Sequence, residues 1–240
     1  MAKAQFWWSG ATIISTTKVA VLTGPSGGIG SAILQALVGK GFKVYGIGRT
    51  IAEQSVNVLR LKCDLTINDD LDNVVDLISR NTHVNVLIHA AGVFYQGKDF
   101  LEVARQHTIN VAAPYYLSRG LSGRLAESQG QVIFLNSRAA FGSKRPNMAQ
   151  YATTKKALKD VADRLRVDLN PMGVRVTSLF LGQVATEMQR KNYEMEGWEY
   201  KPESLMQPED VAEIVLDILN LPHRAEITDI TLRSTQVSAA

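Results

Sequence analysis

Apolar positions along the chain fall into two alternating kinds of block. Val19-Ala20-Val21-Leu22 is a continuous apolar run closed by Thr23-Gly24-Pro25-Ser26-Gly27-Gly28. Such a run predicts a strand covered on both faces. Ile29, Ile33, Ala36 and Leu37 then recur at helical spacing, and Gly39 and Gly41 close that helix. Val44 to Ile47 reads as a second strand and Val56 to Leu61 as a third, with alternation at Val58, Arg60 and Lys62. Leu71, Val74, Val75 and Ile78 predict a helix, and Val84 to Ile88 another buried strand ending at His89-Ala90-Ala91-Gly92. Helical patterning runs from about Ala104 to Ala126, followed by a strand at Gln131 to Leu135. A long helix over Gln150 to Asn170 carries Leu158, Val161 and Leu165 on one side. A strand at Val174 to Phe180, a helix at Glu209 to Leu219 opened by Pro208, and a strand at Ile227 to Leu232 complete the series.

Strands separated by helices at this rhythm mean β-α-β units. The expected fold is α/β: a three-layer, doubly wound parallel sheet of about seven strands with helices on both faces. The 240 residues contain no internal repeat and no linker rich enough in Pro, Gly or Ser to divide them, so residues 18–240 read as one domain. Residues 1–17 read as an extension outside the core. Phe6-Trp7-Trp8 and Ile13-Ile14 are interrupted by Ser9, Gly10, Thr12, Ser15, Thr16 and Thr17, with no A-x-A cleavage pattern, which argues against a signal peptide. No stretch approaches the ~20 apolar residues of a membrane span.

Composition narrows the chemistry mainly by what it lacks. A formal net charge of +3 without a run of five like charges gives no basis for nucleic-acid binding. A single cysteine, Cys63, excludes an intrachain disulfide; a reduced, cytoplasmic setting is the simplest reading, and a secreted protein without disulfides is the alternative. The four histidines lie in no metal-ligand spacing, so no metal site is expected.

The glycine cluster Thr23 to Gly30 sits at the first strand-helix junction. Glycines there let the backbone turn sharply and approach a phosphate, and the new helix offers unpaired N–H groups to it. There is no Gly-Lys-Ser/Thr ending for a triphosphate loop. The second strand ends in Gly48-Arg49-Thr50, where an acidic residue would bind the ribose hydroxyls of NAD. Arg49 instead suits a 2′-phosphate, which points to NADP(H) over NAD(H); a solvated surface arginine is the plainer alternative.

Tyr151 and Lys155 stand four apart on one face of a helix. An ammonium beside a phenol lowers its pKa from about 10 and equips it for proton transfer. By itself the spacing describes a surface helix pair equally well. Ser137 follows the Gln131–Leu135 strand, and Asn110 lies between apolar neighbours in a helix, a position that implies a buried hydrogen-bonding task or a satisfied core amide.

Taken together, T-G-x-x-x-G-x-G at Thr23–Gly30, Cys63-Asp64-Leu65, His89-Ala90-Ala91-Gly92, Asn110, Ser137, Tyr151 and Lys155 closely resemble the short-chain dehydrogenase/reductase family over roughly Lys18 to Leu232. The resemblance implies a Rossmann fold and an NADPH-dependent carbonyl reductase or alcohol dehydrogenase. It implies Tyr151 as acid/base, Lys155 lowering its pKa and binding the nicotinamide ribose, and Ser137 positioning the substrate carbonyl. Asn110 would hold a water linking Lys155 to solvent. Gly24, Ser26, Gly28, Ile29 and Gly30 would bind the cofactor, with Asp64 and Leu65 flanking the adenine. Ala91 and Gly92 would pass close to the cofactor, and Thr186 would sit near the carboxamide. It further implies a homodimer or homotetramer and a small carbonyl or alcohol as partner, with neither nucleic acid nor membrane. The rival reading is a catalytically silent NADP(H)-sensing protein on the same fold.

Three departures stand out. Ala90 replaces an asparagine of the family's Asn-Asn-Ala-Gly, Leu181-Gly182 replaces Pro-Gly, and Gly27 stands where NADP-preferring relatives often carry a basic residue. The segment 188–207 would be the substrate lid. Its Met188, Tyr193, Met195, Trp198, Tyr200 and Met206, with Phe94, Tyr95, Arg138 and Phe141, predict an apolar or aromatic-tolerant pocket.

Overall fold

The computed structural model describes residues 17–50, 55–96, 99–143 and 145–236; most of the expected N-terminal extension, residues 1–16, lies outside them. The strands are β1 (Val19–Thr23), β2 (Lys43–Gly48), β3 (Val58–Lys62), β4 (Val86–His89), β5 (Gln131–Ser137), β6 (Arg175–Leu181) and β7 (Asp229–Leu232). They form one sheet ordered β3-β2-β1-β4-β5-β6-β7, with every neighbouring pair parallel. The α-helices are α1 (Gly28–Gly39), α2 (Asn68–Asn81), α3 (Phe100–His107), α4 (Ala113–Gly120), α5 (Ser122–Glu127), α6 (Ala149–Leu169), α7 (Glu187–Glu196) and α8 (Pro208–Leu219).

The continuous apolar runs are explained by two core layers. Val21, Leu87, Phe134 and Val176 face Ile78 of α2, Leu117 of α4 and Leu158 of α6. Their strand neighbours Leu22, Ile88, Ile133 and Leu179 face Ile33 and Leu37 of α1 and Val211 and Val215 of α8. Alternate side chains thus enter opposite layers, as the two-residue period of a strand requires. The strand order reverses between β1 and β4, and a cleft opens beyond the C-terminal ends of the strands at that switch. This is the three-layer, doubly wound Rossmann architecture that the chain pattern predicts.

Several boundaries differ from the sequence expectation, each for a local reason. β3 begins at Val58, because Val56 lies 97% exposed in a turn closed by the Ser55–Val58 bridge. β5 runs on to Ser137, so the serine ends the strand instead of following it. The helical stretch expected from Ala104 to Ala126 is broken into α3, a π turn over Thr108–Ala112, α4 and α5. Leu117, Leu121 and Leu125 are all fully buried and keep a four-residue spacing across the α4–α5 break, so periodicity conceals it. At the break Gly120 packs so closely on α2 that a Cβ would lie 2.8 Å from Val75 Cγ2. Among the described residues no helix is long and apolar enough to cross a membrane.

Candidate active site

The first β-α turn is built by contacts that only glycine allows. Gly24 has φ +69°, and a Cβ there would lie 2.8 Å from the Ala91 backbone. A Cβ on Gly30 would lie 2.0 Å from the Gly24 carbonyl oxygen. The Gly24 N–H donates to Ile47 O at 2.9 Å, which joins the turn to the end of β2. Ser26, Gly27 and Gly28 are exposed, α1 starts without a side-chain cap, and its first turn carries no acidic residue. Its leading N–H groups therefore remain available to an anion, and a pyrophosphate fits this chemistry.

The neighbouring strand ends extend the cleft. Arg49 is exposed just beyond β2, and the Cys63 N–H donates to Gly48 O at 3.0 Å, bringing the end of β3 alongside. Burial opposes ionisation of Asp64, but Thr66 donates to it from backbone and hydroxyl, and Arg105 and Arg49 add positive charge. The balance holds the carboxyl below its usual range. Arg105 lies 3.5 Å from Asp64, a cation in this corner that no motif announced. Leu65 is buried in the core. The Ala91 N–H donates to Thr23 Oγ1 at 3.1 Å and ties β1 to the segment after β4.

The four expected catalytic residues converge beyond β4 and β5. Asn110 sits in the π turn, whose widened i+5 bond runs from the Ala113 N–H to Thr108 O. Its amide is 1% exposed and reads the backbone of Val93 in both directions. The Val93 N–H donates to Oδ1 at 2.9 Å, and Nδ2 donates to Val93 O at 2.9 Å and to Thr154 Oγ1 at 3.1 Å. Thr154 in turn donates to Tyr151 O at 2.8 Å. Lys155, 4% exposed, donates from Nζ to Leu135 O at 3.1 Å. A Cβ on Gly92 would lie 3.5 Å from Asn110 Oδ1 and 3.8 Å from Lys155 Nζ, so Gly92 stands at the centre of this group.

Ser137 lines the same cavity as the Tyr151 phenol, and Phe94 meets the phenol ring edge-on with centroids 5.3 Å apart. Burial pushes the phenol up to about 12, the Ser137 side chain pulling partly back. Burial also brings the Lys155 amine down to about 8. The phenol is thus held protonated, and the lowering expected from Lys155 does not appear: its Nζ sits 5.6 Å from the ring centroid, and burial outweighs it. The amine itself is poised to exchange a proton near neutral pH.

Ile29, Gly92, Ser137, Tyr151 and Thr186 line a common cavity of about 760 Å³. Thr186 also caps α7, accepting from the Gln189 N–H at 3.2 Å, and its Cγ2 would lie 3.1 Å from a Cβ on Gly28. Of the side chains expected to form the pocket wall, Phe94, Arg138 and Met188 do so. Phe141 instead packs against Phe180, with centroids 4.6 Å apart. Trp198 and Tyr200 each pack edge-on against Tyr193, so the aromatic content of segment 188–207 serves largely to hold that segment together. Sequence reasoning missed Gln183, Asn192, Arg145 and Arg233 on the wall.

A doubly wound sheet with a glycine-rich turn at its switch point and a tyrosine-lysine pair beside it is the arrangement expected of a nucleotide-dependent oxidoreductase. The family model for short chain dehydrogenase matches residues 18–197, and the chain belongs to the short-chain dehydrogenase/reductase family. An uncharacterised short-chain type dehydrogenase/reductase of Sinorhizobium fredii is 27% identical over 91% of this chain and 92% of its own. Two solved structures share the fold. An alcohol dehydrogenase from the archaeon Thermococcus sibiricus, complexed with 5-hydroxy-NADP, has a TM-score of 0.79 at 23% identity, covering 93% of this chain and 100% of its own. A 4-hydroxyisoleucine dehydrogenase complexed with NADH has a TM-score of 0.80 at 18% identity, covering 91% of this chain and 98% of its own.

Proposed function

We propose that this chain is an NADP(H)-dependent oxidoreductase that interconverts a carbonyl compound and its secondary alcohol, with Tyr151 as the acid/base. The observation that carries the reading is the Tyr151 phenol at the cavity wall, with Ser137 on the same wall and buried Lys155 one helical turn away. The bound nicotinamide supplies or accepts the hydride. In reduction, Tyr151 gives its proton to the carbonyl oxygen, which Ser137 holds within reach. In oxidation, the Tyr151 phenolate takes the alcohol proton and becomes the neutral phenol, and the Lys155 charge stabilises that phenolate beforehand.

Lys155 then returns the proton toward solvent. Asn110 fixes the Val93 segment and Thr154 around it. Both of its amide hydrogens are committed, so a relay water bonds this side chain only through the second lone pair of Oδ1. The open turn of Gly24, Ser26, Gly28, Ile29 and Gly30 receives the pyrophosphate. Asp64, Leu65, Ala91, Gly92 and Thr186 border the rest of the cofactor. The preference for NADP(H) rests on Arg49, exposed at the end of β2 where a 2′-phosphate would lie. Residues 188–207 act as the lid. The exposed Tyr115 and Tyr116 of α4 and Val167 of α6 support a homo-oligomer, and the single buried thiol suits the cytoplasm.

The test is a panel of ketones and aldehydes with NADPH and NADH. Wild type oxidises NADPH in preference, and Tyr151→Phe loses at least about 10³-fold in kcat. Activity that survives in Tyr151→Phe overturns the acid assignment. Tight NADPH binding with no turnover across the panel overturns the enzyme reading. Arg49→Asp moves the preference toward NADH, and a wild type that already prefers NADH overturns the cofactor assignment.

A further inference from the structure

The cavity that holds Ser137 and Tyr151 is charged with one sign only. Among its described lining residues the formally charged side chains are Arg138, Arg145 and Arg233, and no aspartate or glutamate joins them. The chain as a whole has 26 basic and 23 acidic residues, so the imbalance belongs to this site and not to the composition. None of the three arginines has an ion-pair partner among the described residues. Glu196, on the lid, is engaged by the side chain of Asn147. The cofactor's phosphates do not explain the arginines, because only Ile29 of the glycine-rich turn reaches this cavity.

Arg145 is the one built into place. It lies on the loop between Ser137 and Tyr151, and its N–H donates to Ser143 Oγ at 3.2 Å. Its guanidinium stacks over the Trp198 ring at 4.3 Å. Trp198 packs edge-on to Tyr193 with centroids 5.7 Å apart, and the Tyr193 hydroxyl donates to Gln183 Oε1, another wall residue, at 3.0 Å. The aromatic stack holds the face of the guanidinium. Its edge, a planar fork of N–H donors, carries no acceptor among the described residues. That is one half of a bidentate carboxylate contact with orientation already supplied.

We infer that the substrate carries a carboxylate, which Arg145 binds while Ser137 and Tyr151 take the reacting oxygen. This rests on the oxidoreductase reading above and names its substrate class: oxo acids and the corresponding hydroxy acids. Arg138, directly after Ser137, and Arg233, beyond β7, add positive potential that draws such anions into the cleft.

The test compares 2-, 3-, 4- and 5-oxo acids with their methyl esters, using NADPH and the full chain. At least one acid is reduced about tenfold or more faster in kcat/KM than its ester. Arg145→Gln lowers that acid-to-ester ratio by about 10- to 100-fold, mainly through KM, and Arg145→Lys falls between because it keeps the charge and loses the fork. Wild-type turnover of esters equal to that of every acid overturns the inference without any variant. So does an unchanged ratio in Arg145→Gln, or a preference for a hydroxyketone phosphate over all the acids. If no carbonyl compound is turned over, the oxidoreductase reading fails separately. Calorimetry of an oxo acid against its ester on the NADPH complex still decides the carboxylate site, and equal binding overturns it.

Discussion

The supports behind the two walls of the cavity are built on opposite principles. On the sheet side, Asn110, Thr154 and Lys155 are buried and tied by hydrogen bonds of 2.8–3.1 Å to Val93, Tyr151 and Leu135. On the lid side, α7 is laced by exposed ion pairs from Arg190 to Glu187 and Glu194, and Met188 and Met195 are 43% and 57% exposed. Buried polar bonds are costly to break, and exposed pairs contribute little. The difference separates two tasks. Proton transfer needs groups that do not move, whereas admitting a substrate needs a surface that is cheap to rearrange.

Removing the buried amine is the strongest way to test the rigid wall. Lys155→Met is expected to lower kcat by about 10²- to 10⁴-fold. It should also raise stability. The folded chain holds this amine near 8, below its ordinary value of 10.5, so the unfolded chain binds more protons between those values. The burial penalty is therefore present in full below pH 8 and relieved as pH rises toward 10.5. Replacing the amine by an apolar chain removes a penalty of up to about 3 kcal/mol at pH 7. Thermal unfolding of both forms at pH 7 and pH 10 checks this. A variant less stable than wild type at pH 7 would show that the Leu135 bond outweighs the burial of charge.

Gly30→Ala comes next. Its Cβ would sit 2.0 Å from the Gly24 carbonyl, so backbone has to shift where the first turn meets α1. The expected outcome is a loss of about 1–3 kcal/mol in stability and at least about tenfold weaker NADPH binding. Unchanged cofactor affinity, read by fluorescence titration, would mean that the turn tolerates the shift.

These residues also mark what was legible in sequence. Gly24 and Gly30 were readable because only glycine meets the conformational and contact demands there, and those demands act over a few residues. Tyr151 and Lys155 were readable because helical spacing is local. Asn110 was flagged by its conflict with helix propensity, but its partners lie 17 and 44 residues away and left no local trace. The π turn that carries it was equally silent. Arg145 had no signal at all, since its meaning depends on Trp198, which only the tertiary fold brings to it. The aromatic residues of the lid were visible as a composition, but composition does not say whether a ring faces a ligand or another ring.

His89 gives a smaller, pH-dependent test of the rigid wall. It is 2% exposed, stacks on Phe134 with centroids 4.9 Å apart, and shares a 2.8 Å hydrogen bond between Nε2 and Ser118 Oγ. Burial brings its pKa down to about 3, so the folded chain refuses a proton that the unfolded chain takes near 6.5. This contribution is present above pH 6.5 and is lost progressively as pH falls toward 3. His89→Asn places there the residue common in the family and removes the titration. Urea unfolding at pH 7, 5.5 and 4.5 should show a modest loss at pH 7 and a shallower acid limb. An equally steep limb in the variant would assign acid sensitivity to other groups.

The smallest expected effect is the most direct challenge to the contrast between the walls. Arg190 bonds Glu187 at 2.6 and 2.8 Å and also reaches Glu194, which makes it the most heavily paired side chain of the lid. Counting bonds, its removal should rival that of Asn110 or Lys155. Exposure argues otherwise, because water and salt replace these contacts as the lid moves. Arg190→Ala is therefore expected to leave the melting temperature and kcat unchanged within error and to shift KM by no more than about twofold. Repeating the measurement at low ionic strength sharpens it, since any contribution of the pairs should appear there and fade with added salt. A salt-insensitive loss of activity would mean that α7 is held as rigidly as the sheet side, and that both walls take part in fixing the reacting groups.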